Sequence, residues 1–210
     1  MTGPLVVATR NPAKLAEMAR ILADLGAELV SAADVGAPDV DETGATFAEN
    51  ALLKARAVAS ASGLAALADD SGLVVDALGG EPGVRSARYS GPPGDDDANT
   101  RLVLERMRGV ADRAARFVCV AALATPDGRA WTAEGRLEGT LAERPRGQGG
   151  FGYDPILQPL GDTRTTAEMP PQEKDAISHR GRALRAIRPA VADVLGLPRR
   201  RGAGTPDAPR

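Results

Sequence analysis

Two adjacent aspartates are the residues of this chain whose type and spacing best suit chemistry. Asp69 and Asp70 follow the apolar run Leu64–Ala68, and a second apolar run, Leu73–Val75, begins directly after Gly72. This pattern predicts a short buried strand with the two carboxylates at its end or at a sharp bend. Strand ends are where α/β proteins place their functional groups.

The charges of Asp69 and Asp70 repel each other, so both remain ionised only where a cation or a hydrogen-bond donor compensates them. A divalent metal is the commonest partner of such oxygen ligands, and Ser71 adds a hydroxyl beside them. The alternative is an Asx turn, in which either aspartate bonds to the nearby backbone. The stretch by itself therefore predicts either a metal site or a simple turn.

The segment from Thr9 to Lys14 is predicted to bind an anion. It connects the apolar run Leu5–Ala8, a predicted strand, to a helix whose apolar residues recur at helical spacing up to Gly26. A helix start directs N–H groups and the positive end of the helix dipole at one point, where Lys14 adds a full charge. The glycine spacing of a P-loop is missing. In the alternative interpretation, Thr9 or Asn11 caps the helix and Lys14 is a solvated residue of its first turn.

A capping box marks the next helix. Thr46 at the N-cap and Glu49 three residues later predict a helix that runs through Ala61. Asn50 and Lys54 are four residues apart and therefore share a face of this helix. Lys54 fits either a phosphate contact or a solvated surface lysine, and the sequence favours the second.

The glycine-rich segment Arg146–Pro155 holds Phe151 and Tyr153, in a chain with only 3% aromatic residues. Two rings in such a loop favour stacking on a planar ligand. Packing into the core is the alternative, because aromatic side chains are usually buried.

A third polar cluster lies at the start of the last predicted helix. Ser178 is placed to cap this helix, which puts His179 and Arg180 in its first turn. Positive side chains at that position oppose the helix dipole, and such a local conflict indicates a function.

Length and composition exclude several classes of protein. The 210 residues suffice for one large domain or two small lobes, and the formal net charge of -2 disfavours nucleic-acid and anionic-membrane partners. No run of about 18 apolar residues and no signal peptide is present, so a cytoplasmic location is expected. Cys119 alone excludes an internal disulfide and is predicted to be a buried hydrophobe. His179 alone excludes a zinc site with two imidazoles.

The remaining elements are predicted to be scaffold. Runs 116–124 and 129–138 flank a Pro-Asp-Gly turn and predict a β-hairpin, and residues 139–141 are predicted to add a further strand. Residues 197–210 lack apolar periodicity and are predicted to form a disordered tail, which leaves 1–196 as the folded part.

Six stretches of the sequence, in order, resemble the inosine triphosphate pyrophosphatase family, the non-canonical purine nucleoside triphosphate pyrophosphatases. The resemblance runs from about Leu5 to Leu195, and its specificity comes from the number of matching motifs. The stretches are TRNPAK, ETGATFAENALLKA, ADDSGL, ALGGEPGVRSARYSG, GFGYDPI and EKDAISHRGRAL.

The resemblance implies hydrolysis of inosine, deoxyinosine and xanthosine triphosphates to the monophosphate and pyrophosphate, with Mg²⁺ as cofactor. Asp70 would be the proton acceptor and, together with Glu42, a ligand of the metal. The residues implied to bind the phosphates are Thr9, Arg10, Asn11, Pro12, Ala13, Lys14, Lys54 and Ser71. Those implied to bind the base are Phe151, Gly152, Tyr153, Asp154, Lys174, His179 and Arg180.

In fold, the resemblance implies an α/β protein with a long mixed central sheet, flanking helices and two lobes around a deep nucleotide-binding cleft. It also implies that the protein forms a homodimer. The expected ligand is a small-molecule nucleotide, with no binding to nucleic acid or membrane. The chain departs from the family at Arg10, where a glycine is usual. The arginine either crowds the phosphate site or adds a cation to it.

Two other functions are compatible with parts of this pattern. A Maf-like nucleotide pyrophosphatase would share the architecture, but the Ser-His-Arg-Gly and Phe-Gly-Tyr-Asp stretches argue against it. A nucleotide-binding regulatory module without catalysis would lack metal carboxylates, and Glu42 and Asp70 are present.

Overall fold

The computed structural model describes residues 3–198, which fold around one six-stranded sheet with the strand order β2-β1-β3-β4-β5-β6. The predicted mixed sheet with flanking helices is therefore confirmed. The strands are β1 Leu5–Val7, β2 Leu29–Ser31, β3 Ala66–Val75, β4 Ala114–Ala124, β5 Ala130–Leu141 and β6 Leu157–Pro159.

The short strands β1 and β2 are parallel to each other, and β1 is parallel to β3, whereas the pairs from β3 to β6 are antiparallel. The predicted hairpin of β4 and β5 is confirmed. The separate strand predicted at residues 139–141 is wrong, because β5 continues without interruption to Leu141. Its last residues pair with the start of β4, where Ala114 lies opposite Thr140. The edge strand β6 was not predicted.

The helices begin and end close to their sequence signals. Thr46 and Glu49 form the predicted capping box of α2. The first helix is shorter than predicted, because its last turn tightens into a 3₁₀ turn before Gly26, which adopts a left-handed conformation. The helices are α1 Pro12–Leu22, α2 Phe47–Ser62, α3 Asp96–Arg106, α4 Pro171–Ile177 and α5 His179–Leu195.

The two faces of the sheet are covered by different helices. Helices α1 and α5 pack on one face, where Leu67 of β3 joins their buried apolar side chains. Helix α2 packs on the other face, against Ala66 and Ala68. Since side chains alternate along a strand, Asp69 projects towards α1 and α5, and Asp70 projects towards α2.

Strand β3 runs straight through both aspartates, so the predicted strand end or bend at this point is wrong. Gly72 serves close packing rather than a turn. A Cβ atom built on Gly72 would lie 2.3 Å from Ser86 Oγ and 2.5 Å from the carbonyl oxygen of Gly83. The Ser86 hydroxyl in turn accepts a hydrogen bond from the backbone N–H of Leu73. The glycine therefore lets the 3₁₀ segment Gly83–Arg88 lie against the strand.

Most of the predicted tail, residues 199–210, lies outside the described residues, and Leu197 packs against the core. Among the helices of residues 3–198, none combines the length and the apolar character that crossing a lipid bilayer requires. The division into a two-lobed domain 1–196 and a tail, with a deep cleft between the lobes, stays a prediction.

We expect Gly72→Ala to lower the free energy of unfolding by about 1–3 kcal/mol, the usual cost of overpacking a well-packed site. Urea denaturation would measure this loss. Gly3→Ala is the matched control, because its added Cβ would meet only Leu64 Cδ2 at an ordinary 3.6 Å. Equal stability of the two variants would contradict the close packing at Gly72.

Candidate active site

The candidate site lies where β1 ends and β3 continues. Val7, the last residue of β1, pairs with Leu67, so β3 has no parallel neighbour on that side from Asp69 onward. The chain leaving β1 enters the loop at Thr9 and then α1, and Asn11 and Lys14 line one cavity with Asp70 and Ser71 of the open stretch of β3. Asp69 and Asp70, in the middle of the long strand β3, therefore lie just beyond the point where the short strand β1 ends. The site is still at the carboxyl end of a parallel strand, as the chain pattern predicts.

Asp70 is held on the α2 side by hydrogen bonds to both carboxylate oxygens. Asn50 Nδ2 donates to Asp70 Oδ2 at 3.1 Å, and the backbone N–H of Ser71 donates to Oδ1 at 3.1 Å. Burial raises the pKa of Asp70, and the nearby Glu42 carboxylate raises it further, against the opposing effect of Lys54. A buried carboxylate with a raised pKa is a better proton acceptor than an ordinary aspartate.

Lys54 links the two carboxylates that were predicted to bind metal. Its Nζ donates to Glu42 Oε1 at 2.6 Å and lies 3.6 Å from Asp70 Oδ1. Its side chain is only 13% exposed, so the prediction of a solvated lysine is wrong. Although burial alone would lower the pKa of Lys54, the carboxylates of Asp70, Asp69 and Glu42 outweigh it and raise that pKa. The lysine therefore stays charged beside Asp70.

Asp69 lies in a different environment on the opposite face. Arg180 donates to its Oδ2 from Nε at 3.2 Å and from Nη2 at 3.1 Å, and Lys14 Nζ lies 3.4 Å from the same oxygen. Burial alone would raise the pKa of Asp69, but Lys14, Arg180 and Lys54 outweigh it and hold the pKa well below its usual range. Lys14 is therefore part of a buried ion pair rather than the solvated residue of the alternative interpretation.

Arg180 is the centre of a network that sequence reasoning did not find. Besides Asp69, it donates to Glu17 through Nη1 and to Ser71 Oγ through Nη2, the latter at 2.8 Å. Lys174 Nζ bonds to the other oxygen of Glu17 at 2.7 Å and to Asp154 at 2.5 Å. The opposing cations hold the pKa of Glu17 low despite its burial.

Glu17 was missed because a helix residue three positions after Lys14 looks like an ordinary surface residue. The signal that could have identified it is its position four residues before Ile21, which packs against the apolar core on the same face of the helix. A carboxylate on the apolar stripe of a helix requires a charged partner.

A first cavity of about 130 Å³ opens beside Asp70 and Ser71, and all seven residues predicted to bind the base line it. Phe117 of β4 and Ser86 also line it. Phe117 was missed because its run was predicted to be scaffold, and Ser86 was given no role within the stretch ALGGEPGVRSARYSG. The predicted residues that line it are Asn11, Lys14, Glu42, Asp70, Ser71, Phe151, Gly152, Tyr153, Asp154, Lys174, His179 and Arg180.

The two aromatic residues of the glycine-rich loop differ in their surroundings. Tyr153 is buried in an apolar cluster and donates its hydroxyl to the carbonyl oxygen of Ser86 at 2.8 Å, as the core alternative predicts. Phe151 is half-buried, with Lys174 Nζ 5.0 Å and Arg180 Cζ 5.5 Å from the centre of its ring. Phe151 is therefore the ring with surface left to meet a planar ligand.

His179 lies in the wall of the first cavity, directly after the confirmed N-cap Ser178. Its ring lies 4.8 Å from that of Phe117, and its Nδ1 has no hydrogen-bond partner within residues 3–198. Burial, reinforced by Arg180 and Lys174, lowers the pKa of His179 well below its ordinary value. The imidazole is therefore neutral at physiological pH, and the expected positive charge opposing the helix dipole does not arise at this residue.

A second cavity, of about 250 Å³, shares Asn11, Lys14 and Glu42 with the first and is also lined by Lys54. The two cavities are therefore neighbours that share part of their walls. Of the loop residues predicted to hold phosphate, Thr9, Arg10, Asn11 and Lys14 line these cavities, whereas Pro12 and Ala13 do not.

Asn11 caps α1, which confirms one alternative for this loop. Its Oδ1 accepts hydrogen bonds from the backbone N–H groups of Ala13 at 2.9 Å and Lys14 at 3.1 Å. Those two N–H groups are consequently not directed at the cavity. An anion bound at this loop would therefore interact with side chains and with the helix dipole rather than with these two N–H groups.

The carboxylates in the site suit a hard cation that takes few protein ligands. In the described part of the chain, no cluster of three or more His, Cys, Asp and Glu side chains could enclose a metal ion. Glu42 and Asp70, joined by Lys54, provide two carboxylates. Mg²⁺ is typically bound through one or two carboxylates and completed by substrate phosphates and water.

The chain is similar to proteins of known activity over nearly its whole length. The sequence model of the Ham1 family matches residues 5–190. A dITP/XTP pyrophosphatase from Streptomyces coelicolor is 58% identical over 197 residues, which cover 91% of this chain and 98% of the relative.

Solved structures show the same similarity in three dimensions. A HAM1 protein from Coxiella burnetii has a TM-score of 0.84 at 44% identity, covering 92% of this chain and all of that one. A nucleoside-triphosphatase (dITP/XTP pyrophosphatase) from Mycobacterium abscessus has a TM-score of 0.72 at 54% identity, covering 88% of this chain and 98% of that one. With a family match across most of its sequence and a shared fold, this protein belongs to the Ham1 family.

Proposed function

We propose that this protein hydrolyses non-canonical purine nucleoside triphosphates, those of inosine, deoxyinosine and xanthosine, to the monophosphate and pyrophosphate. The observation that carries the proposal is the position of Asp70, a buried carboxylate that lines the first cavity and lies 3.6 Å from Lys54, which lines the second. An aromatic residue and a neutral histidine lie on one side of it, and a lysine-lined cavity lies on the other. This arrangement suits a base at one end and phosphates at the other. The printed activity of the relatives supports the same substrate class.

In the proposed reaction, a water molecule attacks the α-phosphorus of the substrate. Asp70 accepts a proton of that water while a new oxygen–phosphorus bond forms. The bond between the α-phosphorus and the oxygen that bridges to the β-phosphate breaks, and pyrophosphate leaves with its electron pair. Asn50 and Lys54 hold the Asp70 carboxylate in one orientation, which is what a general base requires.

Mg²⁺ is part of this proposal, with Glu42 and Asp70 as its protein ligands. The repulsion between these two carboxylates contributes to the raised pKa of Asp70, and the positive charge of a bound cation would offset that repulsion. When bound, the ion supplies positive charge that neutralises the phosphate oxygens. Lys14 and Lys54 line the second cavity and would add their charges along the phosphate chain.

Base recognition is assigned to the residues of the first cavity. Neutral His179 has one donor and one acceptor nitrogen, and its buried Nδ1 has no partner among the described residues. Phe151 offers a ring face, and Lys174 Nζ and Arg180 Cζ lie 5.0 Å and 5.5 Å from the centre of that ring. Hypoxanthine and xanthine carry a carbonyl oxygen where adenine has an amino group, so hydrogen-bond donors here favour them.

The family resemblance adds three further parts to the proposal. The enzyme acts as a homodimer, it works in the cytoplasm, and two lobes enclose the nucleotide cleft. A nucleotide partner without nucleic acid agrees with the net charge of -2.

The test of the proposed function is pyrophosphate release from a panel of nucleoside triphosphates, with and without Mg²⁺. We expect turnover of the inosine, deoxyinosine and xanthosine compounds to exceed that of ATP and GTP, and to stop when the metal is chelated. Orthophosphate as the product, or equal rates for all purines, would contradict the proposal.

The two adjacent aspartates are expected to respond in opposite ways to substitution. Asp70→Asn should lower kcat by at least about 100-fold, the scale of losing a general base. Its stability should be unchanged or higher, because a raised pKa means that the ionised carboxylate destabilises the fold at neutral pH. Asp69→Asn should be less stable than the parent, because the pKa of Asp69 is held low. Kinetics and urea denaturation on both variants decide this, and equal losses of kcat would refute the assignment.

Arg180→Met is expected to lower the free energy of unfolding by about 3–5 kcal/mol, because the buried carboxylates of Glu17 and Asp69 would each lose the arginine and keep one lysine partner. Their lowered pKa values stabilise the parent above about pH 4, and this contribution is lost as the pH falls further. The difference between parent and variant should therefore shrink in acid. Arg188→Met, which breaks the more exposed pair with Asp24 on the same helix, is the control, with an expected loss below about 1 kcal/mol. A pH-independent difference would contradict the network.

A further inference from the structure

Arg10 is a cation of the site that the proposed reaction does not yet use. It lines the second cavity together with Lys14 and Lys54. The cavity of about 250 Å³ is several times larger than the roughly 30 Å³ of one water molecule, so it has room for a polyatomic anion. It shares Asn11, Lys14 and Glu42 with the wall of the first cavity.

The three cations of this cavity differ in how strongly the protein neutralises them. Lys54 Nζ lies 2.6 Å from Glu42, and Lys14 Nζ lies 3.4 Å from buried Asp69. Arg10 Nε, in contrast, lies 3.8 Å from Asp39, in a pair whose side chains are 54% and 85% exposed. An exposed pair at this distance contributes little energy. Redirecting Arg10 towards a ligand therefore costs less than redirecting either lysine.

The remaining contact of Arg10 anchors it near the cavity without using all of its donors. Its Nη2 donates to the carbonyl oxygen of Ala37 at 3.2 Å, and Ala37 is buried in the loop after β2. A guanidinium has five N–H donors in a planar fork that matches two phosphate oxygens. Arg10 can thus keep one bond to the protein while it presents a second edge to an anion.

The direction in which the nucleotide lies across the two cavities decides which of its phosphates Arg10 would contact. A base in the first cavity and an α-phosphorus near Asp70 place the outer phosphates towards the second cavity. We propose that Arg10 binds the terminal phosphate of the substrate, and so selects triphosphates over diphosphates and holds the departing pyrophosphate. This inference rests on the proposed function for the direction of the nucleotide.

The inference is tested with Arg10→Ala and Arg10→Lys, through kcat/KM for inosine triphosphate and for inosine diphosphate. We expect Arg10→Ala to lower the triphosphate value by about 10- to 100-fold, the scale of a charge-assisted hydrogen bond, while the diphosphate value changes little. Arg10→Lys should retain part of the preference, because an ammonium keeps the charge but loses the fork. Arg129→Ala, which breaks the exposed pair with Asp127 away from both cavities, should match the parent.

A second measurement is independent of turnover. Calorimetric titration with inorganic pyrophosphate in the presence of Mg²⁺ should give a Kd about 10- to 100-fold higher for Arg10→Ala than for the parent. Equal affinity of parent and variant, or an equal loss for the triphosphate and the diphosphate, would overturn the role of Arg10. If the parent hydrolyses no inosine triphosphate, the proposed function fails, and the pyrophosphate titration still decides whether Arg10 binds phosphate.

Discussion

The ion pair between Asp69 and Arg180 is the interaction on which the rest of the site depends. It joins the central strand β3 to the first turn of α5, and Glu17 and Lys174 extend it to α1 and α4. All four side chains are nearly inaccessible to water, so each charge requires the others. Lys174 and Arg180 of the network line the first cavity, and His179, which precedes Arg180 in the chain, lines it beside them.

The sheet separates two neighbouring carboxylates into different roles. Asp69 faces cations that lower its pKa, whereas burial and Glu42 raise the pKa of Asp70. Pairs of titratable groups whose environments drive their pKa values apart are typical of acid–base sites. One residue can therefore remain a structural anion while the next accepts a proton. The alternation of side chains along an uninterrupted strand is what makes this division possible.

Parts of the fold and of the site could be predicted because their signals are local. The capping box at Thr46 and the cap at Ser178 depend on residues a few positions apart, and both were found in the structure. The prediction of a bend near Gly72 failed for a different reason. Gly72 is small because the 3₁₀ segment Gly83–Arg88 packs against it, and the sequence of β3 contains no signal for that contact. The motif resemblance named twelve of the residues that line the first cavity, although not Phe117 or Ser86. It also missed Glu17, which bonds to Lys174 and Arg180.

The sequence by itself determined the residue types available for chemistry, the helix and hairpin signals, and the family to which the motifs belong. Only the tertiary structure decided which face each aspartate occupies, that Lys54 is buried, and that Glu17 belongs to the site. The physical reason is distance along the chain, since Arg180 meets Glu17 across 163 residues and Asp69 across 111. Local patterns record periodicity and capping, whereas a buried charge finds its partner only when the strands and helices have packed.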